Sequence, residues 1–460
     1  MKYLTADFGS TYTKLTAIDS KRANIVGTAS AFTTVDTDVM EGFRNAKGLL
    51  EEKIGTFTYD QLLCCSSAAG GLKMIAMGLV PDLTAKAAHT AAASAGAKVI
   101  RTFSFEISMA EQAEIESINP DLILLCGGTD GGNKEVIISN ARKLSGLKGS
   151  FTIVVAGNKS AADEIATLLS ASGKEFVITE NVMPQFNCLN IEPARQEITK
   201  LFIERIIDAK GLSKIQEMAS SEVIPTPRAV MNGCELFSRG TKRSKGIGDL
   251  MAIDIGGATT DVYSMSHGTP SISNVLVKGL PEPFAKRSVE GDLGMRYNLD
   301  SLIDASNMEF ITSYSGSSTA EIKKWVEACQ SSPHLLAKEG SKEQKIEEAL
   351  ARRAAQIATE RHCGQWESVY TPFGQTFTLT GKDLSDISNV IGLGGVITNS
   401  SHGPFILDGV KAESGPRKYA KPKNPRYLVD RRYIFASMGL LAQVDEELAL
   451  TLLKKEIHAQ

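Results

Sequence analysis

Asp7-Phe8-Gly9-Ser10-Thr11-Tyr12-Thr13-Lys14 decides the fold, because its plan returns at Asp254-Ile255-Gly256-Gly257-Ala258-Thr259-Thr260-Asp261. Each copy runs carboxylate, apolar residue, glycine, a second small residue, then hydroxyls. Each follows an apolar run that reads as a strand, Tyr3 to Ala6 and Leu250 to Ile253. Each precedes another such run, Leu15 to Ile18 and Val262 to Met265. The pattern predicts two hairpin tips. In both, the carboxylate ends the inbound strand, the glycine permits tight turning, and backbone amides point into the tip.

Small residues let a phosphate approach the main chain, where amides and hydroxyls hold it. Two such tips facing each other would grip a polyphosphate from both sides. Two like charges ~4 Å apart repel by roughly 4 kcal/mol at an effective dielectric of about 20. An anionic phosphate adds to that repulsion, so the arrangement calls for a divalent cation. Mg²⁺ suits it, being bound by one or two carboxylates, several waters and phosphate oxygens. D-x-G also marks an ordinary β-turn. Two copies, each between strands and in separate halves of the chain, favour the phosphate reading.

At 460 residues the chain exceeds one ordinary core, and two or three domains are expected. A net charge of −3 gives no basic field pointing to nucleic acid or a membrane surface. No apolar run reaches the ~20 residues of a membrane span, and Met1-Lys2-Tyr3 enters a strand without a signal peptide. Seven cysteines lie scattered without C-x-x-C spacing, which predicts reduced thiols in the cytosol. Adjacent Cys64 and Cys65 are expected on opposite faces of a strand, one of them buried.

Taken in order, the first 35 residues read as three strands. A helix is expected over Asp38 to Lys53 and a strand over Gln61 to Cys65, running into Ser66-Ser67-Ala68-Ala69-Gly70-Gly71. Three strands, a helix and a strand open a ribonuclease-H-like layer. From about Leu72 to Glu180 strands and helices alternate: strands over Lys98 to Phe103, Asp121 to Cys126, Phe151 to Ala156 and Glu175 to Thr179, with helices between. That alternation predicts an inserted parallel α/β subdomain. Within it, Gly127-Gly128-Thr129-Asp130-Gly131-Gly132 sits at a strand's carboxyl end, where α/β folds place ligands, but lacks G-x-G-x-x-G spacing. Tight backbone turning is its plainer reading. Ala156-Gly157-Asn158-Lys159-Ser160 lacks the Gly-Lys pair of a P-loop and is discounted.

Pro184 to about Asp249 reads as helical. After the second copy come strands through Ser271 to Val277, then the charged stretch Lys286 to Arg296 with glycines placed for bends. Helices are expected over Asp300 to Leu336 and Lys342 to Glu360, and strands over Phe377 to Thr380 and Asn389 to Ile391. The last strand enters Gly392-Leu393-Gly394-Gly395, a turn that can lie flat against a purine or ribose; a purely structural turn is an equal reading. Gly403 to Arg426, with its prolines and basic residues, is expected to be a mobile loop. Tyr433 to Ile457 is expected to form a terminal helix pair.

The order of the three glycine-rich motifs resembles the actin, DnaK-type chaperone and sugar-kinase superfamily. The resemblance implies two ribonuclease-H-like lobes, an actin-like ATPase fold, with ATP between them. CSSAAGGLKM (65–74), LTAKAAHTAAASAGAKV (83–99), LILLCGGTDGGN (122–133), VVAGN (154–158), DIGGATTDV (254–262), VEGDLGMR (289–296) and IGLGGV (391–396) narrow it further. They are similar to the MutL-type accessory protein of glutamate mutase, across residues 3 to 455. That family shares its label with the DNA mismatch-repair ATPase. The repair enzyme's N-x-x-D-A run and D-x-G-x-G loop are both missing from this sequence, so mismatch repair is rejected.

The resemblance implies an ATP-driven helper of an adenosylcobalamin-dependent mutase, acting on the mutase subunits in the cytoplasm. Carried over by position, Asp7 would hold the Mg²⁺ shell, and Gly9, Ser10, Thr11 and Tyr12 would line the phosphates. Gly256, Gly257, Ala258 and Thr259 would bind from the other lobe, and Asp261 would complete the metal-water shell. Gly392, Gly394 and Gly395 would line the adenosine. Lys14 departs from the usual small or apolar residue; it either reaches a phosphate or caps the strand. Asp254, Asp261 and Glu290 are candidates to orient the attacking water, and Glu290 and Asp292 read equally well as surface charges. The expected divisions are residues 1–71 for the start of the first lobe, 72–183 for the insert, 184–249 for the lobe's helical remainder, 250–425 for the second lobe and 426–460 for the closing helices. A small-molecule kinase and a nucleotide-switched filament or scaffold are the competing functions on this fold.

Overall fold

The computed structural model describes residues 1–9, 11–33, 38–67, 73–209, 212–372, 374–415 and 417–457. The chain divides into two compact units. One comprises Met1–Ile18, Val26–Ala229 and Gly279–Pro283, the other Asp19–Ile25, Val230–Lys278 and Phe284–Gln460.

The first unit begins as the sequence predicts, with β1 (Lys2–Phe8), β2 (Tyr12–Asp19), β3 (Asn24–Phe32), α1 (Val39–Ile54) and β4 (Gln61–Ser66). Alternation along β1 sends Leu4, Ala6 and Phe8 into a core shared with Phe43 and Leu50 of α1. Asp38 starts α1 by accepting the Met40 amide on its carboxylate. β4 runs parallel to β1 with Asp7 opposite Cys65. Both Cys64 and Cys65 are buried, correcting the expectation that one would be open: Cys64 joins the core, while Cys65 is sealed on the face that carries Asp7. Burial pushes the Cys64 thiol up to about 12.

The insert follows as β5 (Lys73–Gly78), α2 (Lys86–Ser94), β6 (Lys98–Ser104), α3 (Met109–Ile118), β7 (Leu122–Leu125), α4 (Glu135–Ser145), β8 (Thr152–Val155), α5 (Ala162–Ala171) and β9 (Phe176–Ile178). Its sheet is parallel throughout, in the order β6-β5-β7-β8-β9. Ile75, Ile123, Leu125, Ile153 and Val155 bury one face of it. β5 and α2 escaped the sequence reading; the Met-Ile-Ala-Met run of β5 passes between glycines into the alanine-rich α2. The unit closes with α6 (Glu192–Ala209), α7 (Leu212–Met218), the short β10 (Ile224–Pro225) and the start of α8 (Thr226–Arg239). β10 pairs parallel with β4, completing a sheet in the order β10-β4-β1-β2-β3.

The second unit contains β11 (Leu250–Ile255), β12 (Thr260–Met265), β13 (Val275–Lys278), β14 (Ala285–Glu290), α9 (Leu299–Asp304), α10 (Met308–Ser315), α11 (Thr319–Ser331) and α12 (Lys342–His362). It continues with β15 (Gln365–Thr371), β16 (Gly374–Thr380), β17 (Asn389–Leu393), α13 (Gly395–Thr398), α14 (Gly403–Leu407), β18 (Arg426–Val429), α15 (Phe435–Leu441) and α16 (Glu446–Glu456). Its main sheet runs β14-β12-β11-β17-β18. β11, β12 and β14 are antiparallel neighbours, and β17 and β18 extend the other side in parallel. This is the same strand order as the first sheet. The expected class therefore holds: α/β, two ribonuclease-H-like layers and an inserted α/β subdomain.

Two expectations are corrected. The charged stretch from Lys286 opens as a strand, Ala285–Glu290 forming β14 against β12, and turns follow it from Gly291. The loop expected from Gly403 starts as α14 and a 3-10 turn at Asp408–Val410, and Lys421 within it is buried against Glu360. No helix among the described residues is long and apolar enough to cross a membrane.

Candidate functional site

The two hairpin tips close in the same way. The Gly9 amide donates to the Tyr12 carbonyl at 3.1 Å, and the Gly256 amide to the Thr259 carbonyl at 2.9 Å. In the second tip this closure leaves a two-residue loop, 257–258. A Cβ on Gly9 would lie 2.7 Å from the Tyr12 carbonyl oxygen, which is why the position is glycine. Ser10 lies outside the described residues. The Tyr12 ring packs edge-on against Phe32, and the Thr11 carbonyl accepts the Thr33 amide.

In the first tip Asp7 is buried and its two oxygens are used differently. Oδ1 accepts the Thr226 hydroxyl at 2.6 Å and the Cys65 thiol at 3.5 Å. Oδ2 faces Lys14 Nζ at 3.6 Å. One oxygen is anchored, and the other is turned to a half-exposed cation. Thr226 was not singled out from the sequence. It opens α8, 219 residues from Asp7, and no local pattern links the two.

In the second tip the loop carbonyls are all engaged on one side. Gly256 O accepts Met295 N, Gly257 O accepts Arg296 N and Tyr297 N, and Ala258 O accepts the Asn298 side-chain amide. A Cβ on Gly294 would sit 2.4 Å from the Ala258 carbonyl carbon, so the segment backing the loop must carry glycine there. In a trans peptide the C=O and N–H point opposite ways. The amides of Gly257, Ala258 and Thr259 are therefore directed to the other side of the loop, as an anion nest requires.

Register assigns the side chains to faces. Asp254 lies opposite Asp261, and Tyr263 opposite Arg287. Asp261 is buried; its Oδ1 accepts Arg287 Nε at 2.8 Å and Nη2 at 2.6 Å, and its Oδ2 accepts the Thr259 hydroxyl at 3.0 Å. Position by position, Lys14 in the first copy occupies the place of Asp261 in the second. One tip thus pairs its carboxylate with a lysine inside the hairpin, and the other borrows an arginine from β14. Arg287 also escaped the sequence reading, hidden in a stretch that looked like solvated charge.

Glu290 is opposite Thr260, so it leaves the sheet on the face away from Asp254 and Asp261. It meets Arg361 of α12 at 2.6 Å, and Arg361 also grips both oxygens of Asp292 at 2.8 and 2.9 Å. Burial raises the Glu290 carboxyl above its ordinary value, against the pull of Arg361. The Arg361 hydrogen bonds hold the Asp292 carboxyl below its own. The structure brings Asp254 and Asp261 together and leaves Glu290 apart from them.

The third motif abuts the second tip. Gly394 has φ 88°, and a Cβ there would lie 2.2 Å from the Ile255 carbonyl oxygen. Gly395 is more open, with the Tyr433 hydroxyl 3.1 Å and Asn399 Nδ2 3.7 Å from where its Cβ would be. Gly392 is buried inside β17 against Ile397 and Leu407, which is a packing position. The Gly127–Gly132 loop is tied to its own fold. Asn158 bridges Gly131, Gly132 and Asn133, while Asn181 holds Gly128 and Asp130. Tight turning accounts for its glycines.

Among the described residues no group of three or more His, Cys, Asp or Glu could hold a metal ion unaided. The donor set fits Mg²⁺ in one way only: one carboxylate oxygen at Asp7, with waters and phosphate oxygens making up the shell. At Asp261 the charge is already met by Arg287 and Oδ2 is taken by the Thr259 hydroxyl, so this carboxylate is not part of that shell.

The chain matches the family described as MutL protein over residues 3–457. It is 45% identical over 458 residues to Protein MutL of Clostridium tetanomorphum, covering 98% of each chain. Among solved structures it is similar to a gluconate kinase from Lactobacillus acidophilus, at 9% identity and TM-score 0.36, covering 100% of this chain and 92% of that one. A xylulose-type sugar kinase from Brucella ovis aligns at 11% identity and TM-score 0.34, over 98% and 92% of the two chains.

Proposed function

The chain belongs to the MutL protein family, and from that premise we propose that it binds and hydrolyses ATP as a helper of an adenosylcobalamin-dependent mutase, glutamate mutase above all. The observation that carries the nucleotide half is the second tip, whose carbonyls are held on one side so that three amides serve the other. The first tip supports it with an anchored carboxylate beside a lysine.

In this reading Gly9, Thr11 and Lys14 serve the phosphates from the first tip, and Asp7 Oδ2 receives the metal shell. Gly257, Ala258 and Thr259 serve them from the second tip, with Asp254 and Asp261 at its base. Gly394 and Gly395 line the adenosine. Mg²⁺ would neutralise charge on the β- and γ-phosphates; positioning and neutralisation are most of what phosphoryl transfer needs. The partner half rests on the family resemblance. Residues 72–183, absent from a minimal ribonuclease-H-like layer, offer the surface for the mutase subunits, and the setting is the cytoplasm.

The test is phosphate release by the purified full chain, alone and with both mutase subunits. Mutase-stimulated release supports the proposal. Transfer of phosphate to a small-molecule acceptor would replace it with a kinase, and nucleotide-dependent polymer light scattering with a filament protein.

A further inference from the structure

The second tip contains a chain of three side chains whose hydrogen-bond directions are fixed by chemistry. An ionised carboxylate only accepts, and a guanidinium only donates. Asp261 is buried and shares its Oδ1 with two nitrogens of Arg287, itself buried beside Tyr263. Its Oδ2 then accepts the Thr259 hydroxyl. A threonine hydroxyl has one proton. That proton is committed to Asp261, so Thr259 presents lone pairs to whatever lies beyond it.

This bears on what Thr259 can bind. A phosphate oxygen offers only lone pairs and cannot pair with a hydroxyl in this state. A water molecule can, by donating one of its protons to Thr259 Oγ1.

We propose that Arg287 is a positioning residue which, through Asp261, sets Thr259 as a hydrogen-bond acceptor for the water that attacks the terminal phosphate. The proposal rests on the ATP reading above and refines it. Phosphate is held by the loop amides, and the Thr259 hydroxyl faces the water. No bond is made or broken in this chain; it fixes one proton's direction before the reaction.

Asp261→Asn tests the direction itself. The asparagine carbonyl oxygen can still accept from Arg287, while its amide now donates to Thr259. That reversal frees the Thr259 proton to point outward, towards phosphate. The expected result is a split: ATP affinity unchanged or higher, turnover down about 10- to 100-fold, and the Mg²⁺ concentration for half-maximal rate unmoved. Thr259→Val should lose turnover to the same degree, and adding it to Asp261→Asn should cost little more. Arg287→Lys, which keeps the charge but offers one point of contact, should fall between wild type and Asp261→Asn.

Three results would overturn the proposal. They are equal loss of affinity and turnover in Asp261→Asn, a raised Mg²⁺ requirement, or additive losses in the double variant. Failure of the wild-type chain to bind ATP would sink the underlying reading instead, so the two failures are told apart by the wild-type titration.

Discussion

Thr226→Val removes one hydroxyl with almost no change of volume, and it strikes the best-defined contact at the first tip. The Thr226 hydroxyl donates to Asp7 Oδ1 at 2.6 Å, the length of a charge-assisted hydroxyl–carboxylate bond, and Asp7 is buried. Hydrogen bonds to charged groups contribute about 1.5–3 kcal/mol, which corresponds to roughly 10- to 150-fold in an equilibrium constant. Two partners remain after the substitution, the Cys65 thiol at 3.5 Å and Lys14 at 3.6 Å. Both are longer and weaker, so the loss should sit near the lower end, about tenfold. It should appear in Mg·ATP affinity, because the anchored Oδ1 orients the carboxylate whose Oδ2 would hold the proposed metal. Affinity for ATP in EDTA should change by less than about threefold, since the loop amides are untouched. Calorimetric titrations with and without Mg²⁺ measure both. Thr226→Ser, which keeps the hydroxyl, should stay within about threefold of wild type. If Thr226→Val matched wild type in Mg²⁺, Asp7 would not be acting through this anchored geometry. If it lost binding equally in EDTA, the effect would be general damage to the tip.

Other positions give independent expectations. His362 is buried between the Ser264 and Ser288 hydroxyls, each 2.8 Å from a ring nitrogen, and burial holds its ring well below the ordinary histidine value. The unfolded chain takes up this proton near pH ~6.5 and the folded chain does not, so the stabilisation is complete above that pH and is lost as pH falls below it, by up to about 1.4 kcal/mol per unit. Urea unfolding of wild type and His362→Gln between pH 7.5 and 5.5 should show the shallower slope in the variant; identical slopes would contradict the assignment. Gly394→Ala combines φ 88° with a methyl 2.2 Å from the Ile255 carbonyl and should lose well over ~2 kcal/mol, seen as early thermal unfolding. Gly395→Ala meets only side-chain atoms at 3.1 and 3.7 Å, so it should fold normally and bind ATP less tightly. Normal ATP affinity there would remove the adenosine from this turn.

The hairpins were legible because their geometry is local: the strand, the carboxylate and the glycine lie within eight residues. The insert was legible for the same reason, since each β-α-β unit carries its own punctuation. What stayed hidden is what comes from far along the chain. Thr226 reaches Asp7 across 219 residues, and Cys65 reaches it from a parallel neighbour strand. β14 was masked by its own composition. Lys286, Arg287, Ser288 and Glu290 look like solvent-facing charge, yet alternation sends Arg287 to Asp261 and the other three to the opposite face, where Lys286 and Ser288 meet His362 and Glu290 meets Arg361. Glycine type was equally ambiguous in sequence. Gly392 packs, Gly394 turns and Gly395 opens, although all three belong to one motif.

The central claim is that the acidic hairpins of this chain bind ATP with its metal. Calorimetric titration of the full chain with ATP in Mg²⁺, alongside Asp7→Asn, tests it most directly. The account predicts saturable binding at one site in wild type and a loss of at least about tenfold in Asp7→Asn that largely disappears in EDTA. No saturable binding in wild type, or equal affinity of both proteins in Mg²⁺, would contradict it.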